Sequence, residues 1–218
     1  MLMKDVIWGV DSAAKATEQL HRCVQTNFGL PDVWGRYLNT IENVSEGLTK
    51  EEISFLKGKG IKILPIYNNF QAAVGMQAGR IAAQNAIFHA QRLGIPKGVF
   101  IFANVERFFD VDTDWIIGWA EMFYDSSYRP GIYHDPTEGA FNIAFCDAVA
   151  KNKTVKDQVV LWSAEPEIGV TKKSEFPAFN PKTPQCGGNV WAWQYGRDAE
   201  TCPVDTILVQ KRLYNQLY

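Results

Sequence analysis

The segment GVFIFANVERF, residues 98–108, ends an apolar run with an amide and a carboxylate. Side chains alternate along a β-strand, so Asn104 and Glu106 are predicted to point to the same face. Taken alone, the segment is better explained by a strand that ends in a solvated glutamate. Three other acids that stand in similar places favour a functional site instead.

Polar side chains stand at the ends of the predicted strands, while the strands themselves are apolar. If these strands form a parallel barrel, their carboxyl ends meet at one mouth. Carboxylates beside aromatic rings are typical of sites that bind sugars and cleave glycosidic bonds. Aromatic faces stack on pyranose rings, one carboxylic acid protonates the leaving oxygen, and a second group stabilises the cationic centre. The strand-end residues are Asp11, Arg36, Tyr67, Asn68, Asn69, Asn104, Glu106, Tyr133, His134, Asp135, Glu165, Gln194 and Asp205, with Trp162, Trp191, Trp193 and Tyr195 close by.

Several of these residues also have purely structural interpretations. Asp11 is placed to cap the first helix. Arg36 is placed to pair with a buried acid, and Glu165 to lie solvated at the start of a loop. Trp191 and Trp193 share one face of their predicted strand, so at least one of them is expected to fill the core.

A metal site is the competing functional hypothesis, because Asp11, Glu106 and Asp205 would offer the hard oxygen ligands that magnesium and calcium prefer. No signature loop for these ions accompanies them. The four cysteines form no CxxC pair and the three histidines lie far apart, so a zinc site is poorly supported. We therefore expect a site without a metal or a cofactor.

The order of the predicted elements favours a closed α/β barrel. Five strand–helix units are followed by three strands without full helices, and such alternation with apolar strands is typical of a parallel sheet. We predict an irregular TIM-like (β/α) barrel of eight strands and about five helices, which spans residues 1–218 as a single domain. Ser12 is the predicted N-cap of the first helix and Thr49 that of the second. The predicted strands cover residues 5–11, 33–38, 61–67, 98–106, 129–135, 159–165 and 190–196, with a short eighth strand after residue 203.

Composition limits the classes of partner. The chain carries 22 Lys and Arg against 24 Asp and Glu, a net charge of −2, and no basic block, which argues against nucleic acid. No apolar run is long enough to span a membrane. The first residues, MLMKDVIWGVD, lack the long apolar stretch and cleavage site of a signal peptide. We expect a monomer that binds a polysaccharide, and its cellular location stays open.

The cysteines allow two arrangements. Cys23 and Cys146 fall in apolar helical patterns and are predicted to be buried thiols. Cys186 and Cys202 lie in polar loops on either side of the seventh strand, where a disulfide between them is an alternative. Such a bond would indicate an oxidising compartment.

Short motifs spread over the chain resemble those of a known family. GVDSA, GRYL, NVE, YRPGIY, LWSAE, and WQYG followed by PVD are similar, in this order, to motifs of family 25 glycoside hydrolases, the lysozyme-type muramidases of bacteria and phages. More specifically, the chain resembles their relatives, the glycoside-hydrolase-like (Rv2525c-like) domain proteins. The resemblance covers nearly the whole chain. It implies an irregular barrel with eight strands and about five helices.

The resemblance also implies roles for individual residues. Glu106 matches the glutamate that closes the family's Asp-x-Glu motif, its general acid, and Asp11 and Asp205 match acids of the first and last strands. Asn104 stands where the family has the first acid of Asp-x-Glu. Family enzymes are thought to let the N-acetyl group of the substrate attack, oriented by that acid. Asn104 can hydrogen-bond the group but cannot supply the negative charge.

Two functions follow from these observations. The first is a glycoside hydrolase that acts on peptidoglycan or a related amino-sugar polymer. The alternative is a carbohydrate- or cell-wall-binding module in which the same barrel has lost most of its catalysis. The predicted catalytic residues are Glu106, Asp11, Asp205 and Asn104, and the predicted substrate-binding residues are Arg36, Tyr67, Tyr133, Glu165, Trp193, Gln194 and Tyr195.

Overall fold

The computed structural model describes residues 5–218, and the expectation about the first four residues lies outside this range. Eight strands close into a barrel in the order β1 to β8, which confirms the predicted fold class. No helix within the described range is long and apolar enough to cross a membrane. The strands are β1 (Val6–Asp11), β2 (Val33–Tyr37), β3 (Lys62–Tyr67), β4 (Phe100–Asn104), β5 (Arg129–His134), β6 (Val160–Ala164), β7 (Asn189–Gly196) and β8 (Asp205–Gln210).

Residues 5–218 contain five longer helices, one after each of the strands β1 to β5, and two short helices. Residues 165–188, between β6 and β7, contain only two short 3₁₀ turns, at Pro166–Ile168 and Lys173–Glu175. The change of pattern predicted after residue 165 is therefore confirmed. The helices are α1 (Glu18–Asn27), α2 (Lys50–Gly58), α3 (Met76–Arg92), α4 (Thr113–Tyr124), α5 (Phe141–Lys151), α6 (Lys153–Gln158) and α7 (Lys211–Tyr214).

Strand β8 runs against its neighbours, so the prediction of an all-parallel sheet was wrong at this strand. β1 to β7 pair in parallel, whereas β8 pairs antiparallel with both β7 and β1. The connection from β7 to β8 covers only residues 197–204. A parallel crossover needs about a dozen residues or more, so this loop must turn back at the end where it starts. The first residue of β8, Asp205, therefore lies opposite Asp11, the last residue of β1.

Threonine side chains cap the first two helices. Thr49 accepts a hydrogen bond from the backbone N–H of Glu52 and caps α2, as predicted. Thr17, not Ser12, caps α1, because the chain needs several residues after β1 to leave the barrel wall. The Ser12 hydroxyl instead accepts a hydrogen bond from Nε1 of Trp34, 2.9 Å away.

Two apolar clusters lie on the two sides of the barrel wall. Inward-pointing residues such as Leu64, Phe102 and Ile207 fill the interior. Outward-pointing residues such as Trp34 and Ile101 pack under the helices. Because successive side chains of a strand point to opposite sides, a residue adjacent to an inward-pointing one faces the helices.

The disulfide prediction was wrong, and so was the prediction of buried thiols. Cys23 is bonded to Cys202, and Cys146 is bonded to Cys186. Closure of the barrel brings β1 beside β8, so α1 lies next to the loop 197–204 although the bonded cysteines are 179 residues apart. The second bond joins α5 to the long connection before β7.

Candidate active site

Inward-pointing residues at one end of the barrel line a pocket of about 210 Å³. The carboxyl ends of β1 to β7 meet there, and the reversal of β8 brings its amino end to the same place. This end of the barrel is called the mouth below. The lining residues are Asp11, Tyr37, Ile66, Asn104, Glu106, Tyr133, Trp162, Gln194, Arg197 and Asp205.

Two of the predicted acids are joined through one amide. Nε2 of Gln194 donates to the Asp205 carboxylate at 2.9 Å and to both oxygens of Asp11 at 3.2 and 3.3 Å. Burial, together with the neighbouring Asp205 charge, raises the pKa of Asp11 well above its usual range. Burial also raises the pKa of Asp205 to about 6. The pair therefore holds protons at a pH where exposed carboxylic acids are ionised.

The second pair of predicted site residues lies where β4 ends. Nδ2 of Asn104 donates to Oε1 of Glu106 at 2.9 Å. Asn104 is buried, and Glu106, two residues beyond the strand end, is partly exposed to the pocket. The same-face prediction for these two side chains is confirmed. A neutral hydrogen-bond donor therefore lies beside the carboxyl group.

A tyrosine and an arginine complete the wall. The hydroxyl of Tyr133 donates to Oε1 of Gln194 at 2.9 Å. Nη2 of Arg197 donates to that hydroxyl at 2.9 Å and to Oε1 of Gln194 at 3.3 Å. The side-chain amide of Gln194 is thus held at both ends, because its oxygen faces these donors and its nitrogen faces the two aspartates.

Gly35 leaves the space that the side chain of Asp11 occupies in the pocket. A Cβ atom at Gly35 would lie 2.5 Å from Cβ of Asp11 and 3.4 Å from Trp162, so no larger residue fits there without displacing them. Tyr37 follows two residues later on the same inward face of β2. Burial raises the pKa of its hydroxyl, which stays neutral and available as a donor.

The structure places Arg36 away from the pocket, so its predicted contact with substrate was wrong. Arg36 points outward from β2 and is fully buried. Its Nε donates to Glu52 at 2.6 Å, and its Nη1 donates to the carbonyl of Ser12 at 2.7 Å. The alternative role, a partner for a buried acid, is the one that the structure supports.

Tyr67 and Glu165 also face outward and do not reach the pocket, contrary to the prediction. The Tyr67 ring packs between the barrel wall and α3. The carboxylate of Glu165 accepts hydrogen bonds from Ser163 at 2.7 Å and from the backbone N–H of Lys182 at 2.8 Å. Glu165 therefore fixes the long connection after β6 to the strand.

Trp193 and Tyr195 flank Gln194 in β7, and alternation turns both toward the outer cluster, so their predicted contacts with substrate were also wrong. The Tyr195 hydroxyl accepts a hydrogen bond from Nε1 of Trp8 at 2.9 Å. The register of β7 against β6 shifts by one residue beside Trp191. Trp191 therefore packs against the inner cluster and does not share a face with Trp193.

Tyr37 and Arg197 line the pocket but were not predicted. Counting alternation along β2 from Gly35 would have identified Tyr37. Arg197 lies beyond the end of β7, where no periodic pattern applies. Within residues 5–218 no group of three or more His, Cys, Asp or Glu side chains could hold a metal ion.

Similarity to known proteins agrees with this architecture. Residues 32–186 match the profile of the Rv2525c-like, glycoside hydrolase-like domain. The chain belongs to this family. This Rv2525c-like chain is 55% identical to an uncharacterized protein of B. stearothermophilus with a crystal structure, over 97% of this chain and 100% of that one, with a TM-score of 0.96. No curated protein matches the sequence.

More distant structures share the fold. The spore cortex lytic enzyme SleM of Clostridium perfringens is 16% identical over 97% of this chain and 69% of its own, with a TM-score of 0.64. A family GH25 lysozyme from Aspergillus fumigatus is 11% identical over 97% and 98% of the two chains, with a TM-score of 0.57. The Rv2525c-like chain therefore has the barrel of the GH25 lysozymes.

Proposed function

We propose that this Rv2525c-like protein is a glycoside hydrolase that acts on peptidoglycan or a related amino-sugar polymer, with Glu106 as the general acid. The observation that carries the proposal is the pocket at the mouth, in which Glu106 and Asn104 meet the pair Asp11 and Asp205. SleM and the GH25 lysozyme of Aspergillus fumigatus, whose names describe lytic enzymes, have the same barrel.

The proposed reaction uses the acetamido group of the substrate. Its carbonyl oxygen attacks the anomeric carbon, the bond to the leaving sugar breaks, and Glu106 gives its proton to the leaving oxygen. Water then opens the cyclic intermediate and returns a proton to Glu106. Oδ1 of Asn104 would accept a hydrogen bond from the N–H of the acetamido group, while its Nδ2 keeps the present bond to Glu106.

The aspartate pair supplies the negative charge in this scheme. Asp205, with a pKa of about 6, is largely ionised at neutral pH, and burial beside the Asp205 charge raises the pKa of Asp11 and favours its protonated form. An anion fixed by Gln194 would stabilise the positive charge that develops on the sugar ring and the acetamido group. The pocket volume of about 210 Å³ lies below the usual range for drug-sized ligands and suits a single ring.

Glu106→Gln tests the proposed acid. We expect the release of reducing ends from purified cell walls to fall by about a hundredfold or more, because glutamine cannot give up a proton. Binding of the polymer and the thermal midpoint should stay near those of the wild type. Glu167→Gln is the matched control, because Glu167 is an exposed acid just after β6 that does not line the pocket. Wild-type turnover by Glu106→Gln would refute the assignment.

Asn104 favours the second candidate function, a binding module with little turnover, because a neutral side chain stands where the related enzymes have an acid. Asn104→Asp tests it. The new carboxylate would lie about as close to Glu106 as the amide does now, 2.9 Å, so the two acids would share a proton. Higher turnover by the variant would show that the wild type is a weakened hydrolase. If both proteins bind the polymer and neither cleaves it, the binding module is the correct function.

A further inference from the structure

Arg197 is a cation in a pocket that three acids, Asp11, Glu106 and Asp205, also line. It lies directly after β7 and is partly exposed to the pocket. Its Nη2 is fixed by the Tyr133 hydroxyl at 2.9 Å and by Oε1 of Gln194 at 3.3 Å. Both partners belong to the barrel wall, so this nitrogen of the guanidinium group is held in place without help from a ligand.

The acids of the pocket are satisfied by other donors. Asp11 and Asp205 accept from Gln194, Asp205 also accepts from the backbone N–H of Asp198 at 2.7 Å, and Glu106 accepts from Asn104. Within residues 5–218, Arg197 forms no ion pair shorter than 4.0 Å with any acid. Its Nε and Nη1 have no protein hydrogen-bond partner there and are not closed off from solvent, so these donors remain for a ligand.

The chemistry of these donors favours an anion. A guanidinium group donates charge-assisted hydrogen bonds to a carboxylate, and these are roughly twice as strong as hydrogen bonds between neutral groups. A neutral sugar in the pocket would remove water from Arg197 without giving it a counter-charge, and such desolvation is unfavourable. A sugar with a carboxylate substituent would supply that charge.

We infer that Arg197 selects sugars that carry a carboxylate substituent over neutral sugars of the same ring type. This inference rests on the proposed function, because it concerns the same pocket and assumes that a sugar ring enters it. It assigns to Arg197 a role in specificity, apart from the proton transfer assigned to Glu106.

The test compares two forms of one amino-sugar oligomer, with free carboxylates and with the carboxylates converted to methyl esters. Titration calorimetry is carried out in the Glu106→Gln background so that the oligomer is not cleaved. We expect the parent to bind the free acid at least about tenfold more tightly. Arg197→Gln should bind both forms about equally. Arg197→Lys, which keeps the charge without the fixed N–H directions of the guanidinium group, should keep only part of the preference.

A matched control separates this effect from general attraction of anions to the mouth. Arg107 is an exposed arginine in the loop after β4, paired with Glu138 at 3.0 Å, so Arg107→Gln removes the same charge outside the pocket and should leave the preference unchanged. Equal binding of both forms by the parent, or an unchanged preference in Arg197→Gln, would overturn the inference alone. Failure of the parent to bind either form would overturn the proposed function together with it.

Discussion

The buried ion pair between Arg36 and Glu52 allows a sharp prediction about stability. Both side chains are fully buried, and Nε of Arg36 lies 2.6 Å from Oε1 of Glu52. The same carboxylate oxygen accepts the backbone N–H of Ala16 at 2.8 Å. Arg36 in turn donates to the carbonyls of Ser12 and Glu46. The pair therefore fixes the segment that follows Asp11 to the loop after β2.

Glu52→Gln removes the negative charge and keeps the shape of the side chain. Removal of one partner of a buried ion pair costs about 3–5 kcal/mol, because the remaining charge stays buried without compensation. Glutamine can still accept one hydrogen bond, so we expect a loss of about 3 kcal/mol in the free energy of unfolding. For a chain of 218 residues this corresponds to a decrease of about 6–12 °C in the thermal midpoint.

Urea unfolding without reductant, followed by circular dichroism, measures this loss. Glu18→Gln is the control, because Glu18 pairs with Arg22 on the surface of α1, and exposed ion pairs contribute little to stability. The double variant Arg36→Met with Glu52→Leu should recover much of the stability, since an apolar pair leaves no buried charge. If Glu52→Gln costs no more than the surface control, the pair does not hold this part of the barrel.

Two further predictions concern the outer cluster and the aspartate pair. Trp193→Ala should lower the free energy of unfolding by about 3–5 kcal/mol and leave sugar affinity unchanged, because the ring is buried on the outer side of β7; weaker binding at wild-type stability would contradict this placement. Burial raises the pKa of Asp205 to about 6, so between about pH 4 and pH 6 the folded protein binds a proton there that the unfolded chain has lost. The contribution of this residue to stability is therefore present at about pH 4 and declines as the pH rises to about 6. Asp205→Asn should remove this decline in urea titrations at several pH values, and a pH dependence equal to that of the wild type would contradict the assignment.

The sequence was sufficient for the barrel, because the alternation of apolar strands and amphipathic helices is a local pattern. It was sufficient for Asn104 and Glu106 because the period of two was applied to their strand. Applied to β2, the same period would have placed Arg36 on the outward face. It would have placed the next residue, Tyr37, on the inward face, where it lines the pocket. It would also have shown that Gln194 and Tyr195 cannot both face the pocket.

Other parts of the site depend on information that a local pattern does not carry. The bulge beside Trp191 adds one residue to β7, and alternation counted across it gives the wrong face for Trp191. Asp205 was expected to follow a strand, and it reaches the mouth only because β8 is reversed. Arg197 is held by Tyr133 and Gln194, which are contributed by two different strands, so its position follows from closure of the barrel.

The two disulfides stabilise the part of the barrel that has the fewest helices. A regular barrel fastens each strand with the helix that follows it, but the connections after β6 and β7 have no such helix. Each is instead bonded covalently to a helix of the first half, through Cys186 to α5 and through Cys202 to α1. Disulfide bonds therefore anchor the side of the barrel that carries Gln194 and Arg197, whereas packing against helices anchors the side that carries Glu106. A reductant would loosen one side of the pocket and spare the other, so the pocket is suited to surroundings in which disulfides persist.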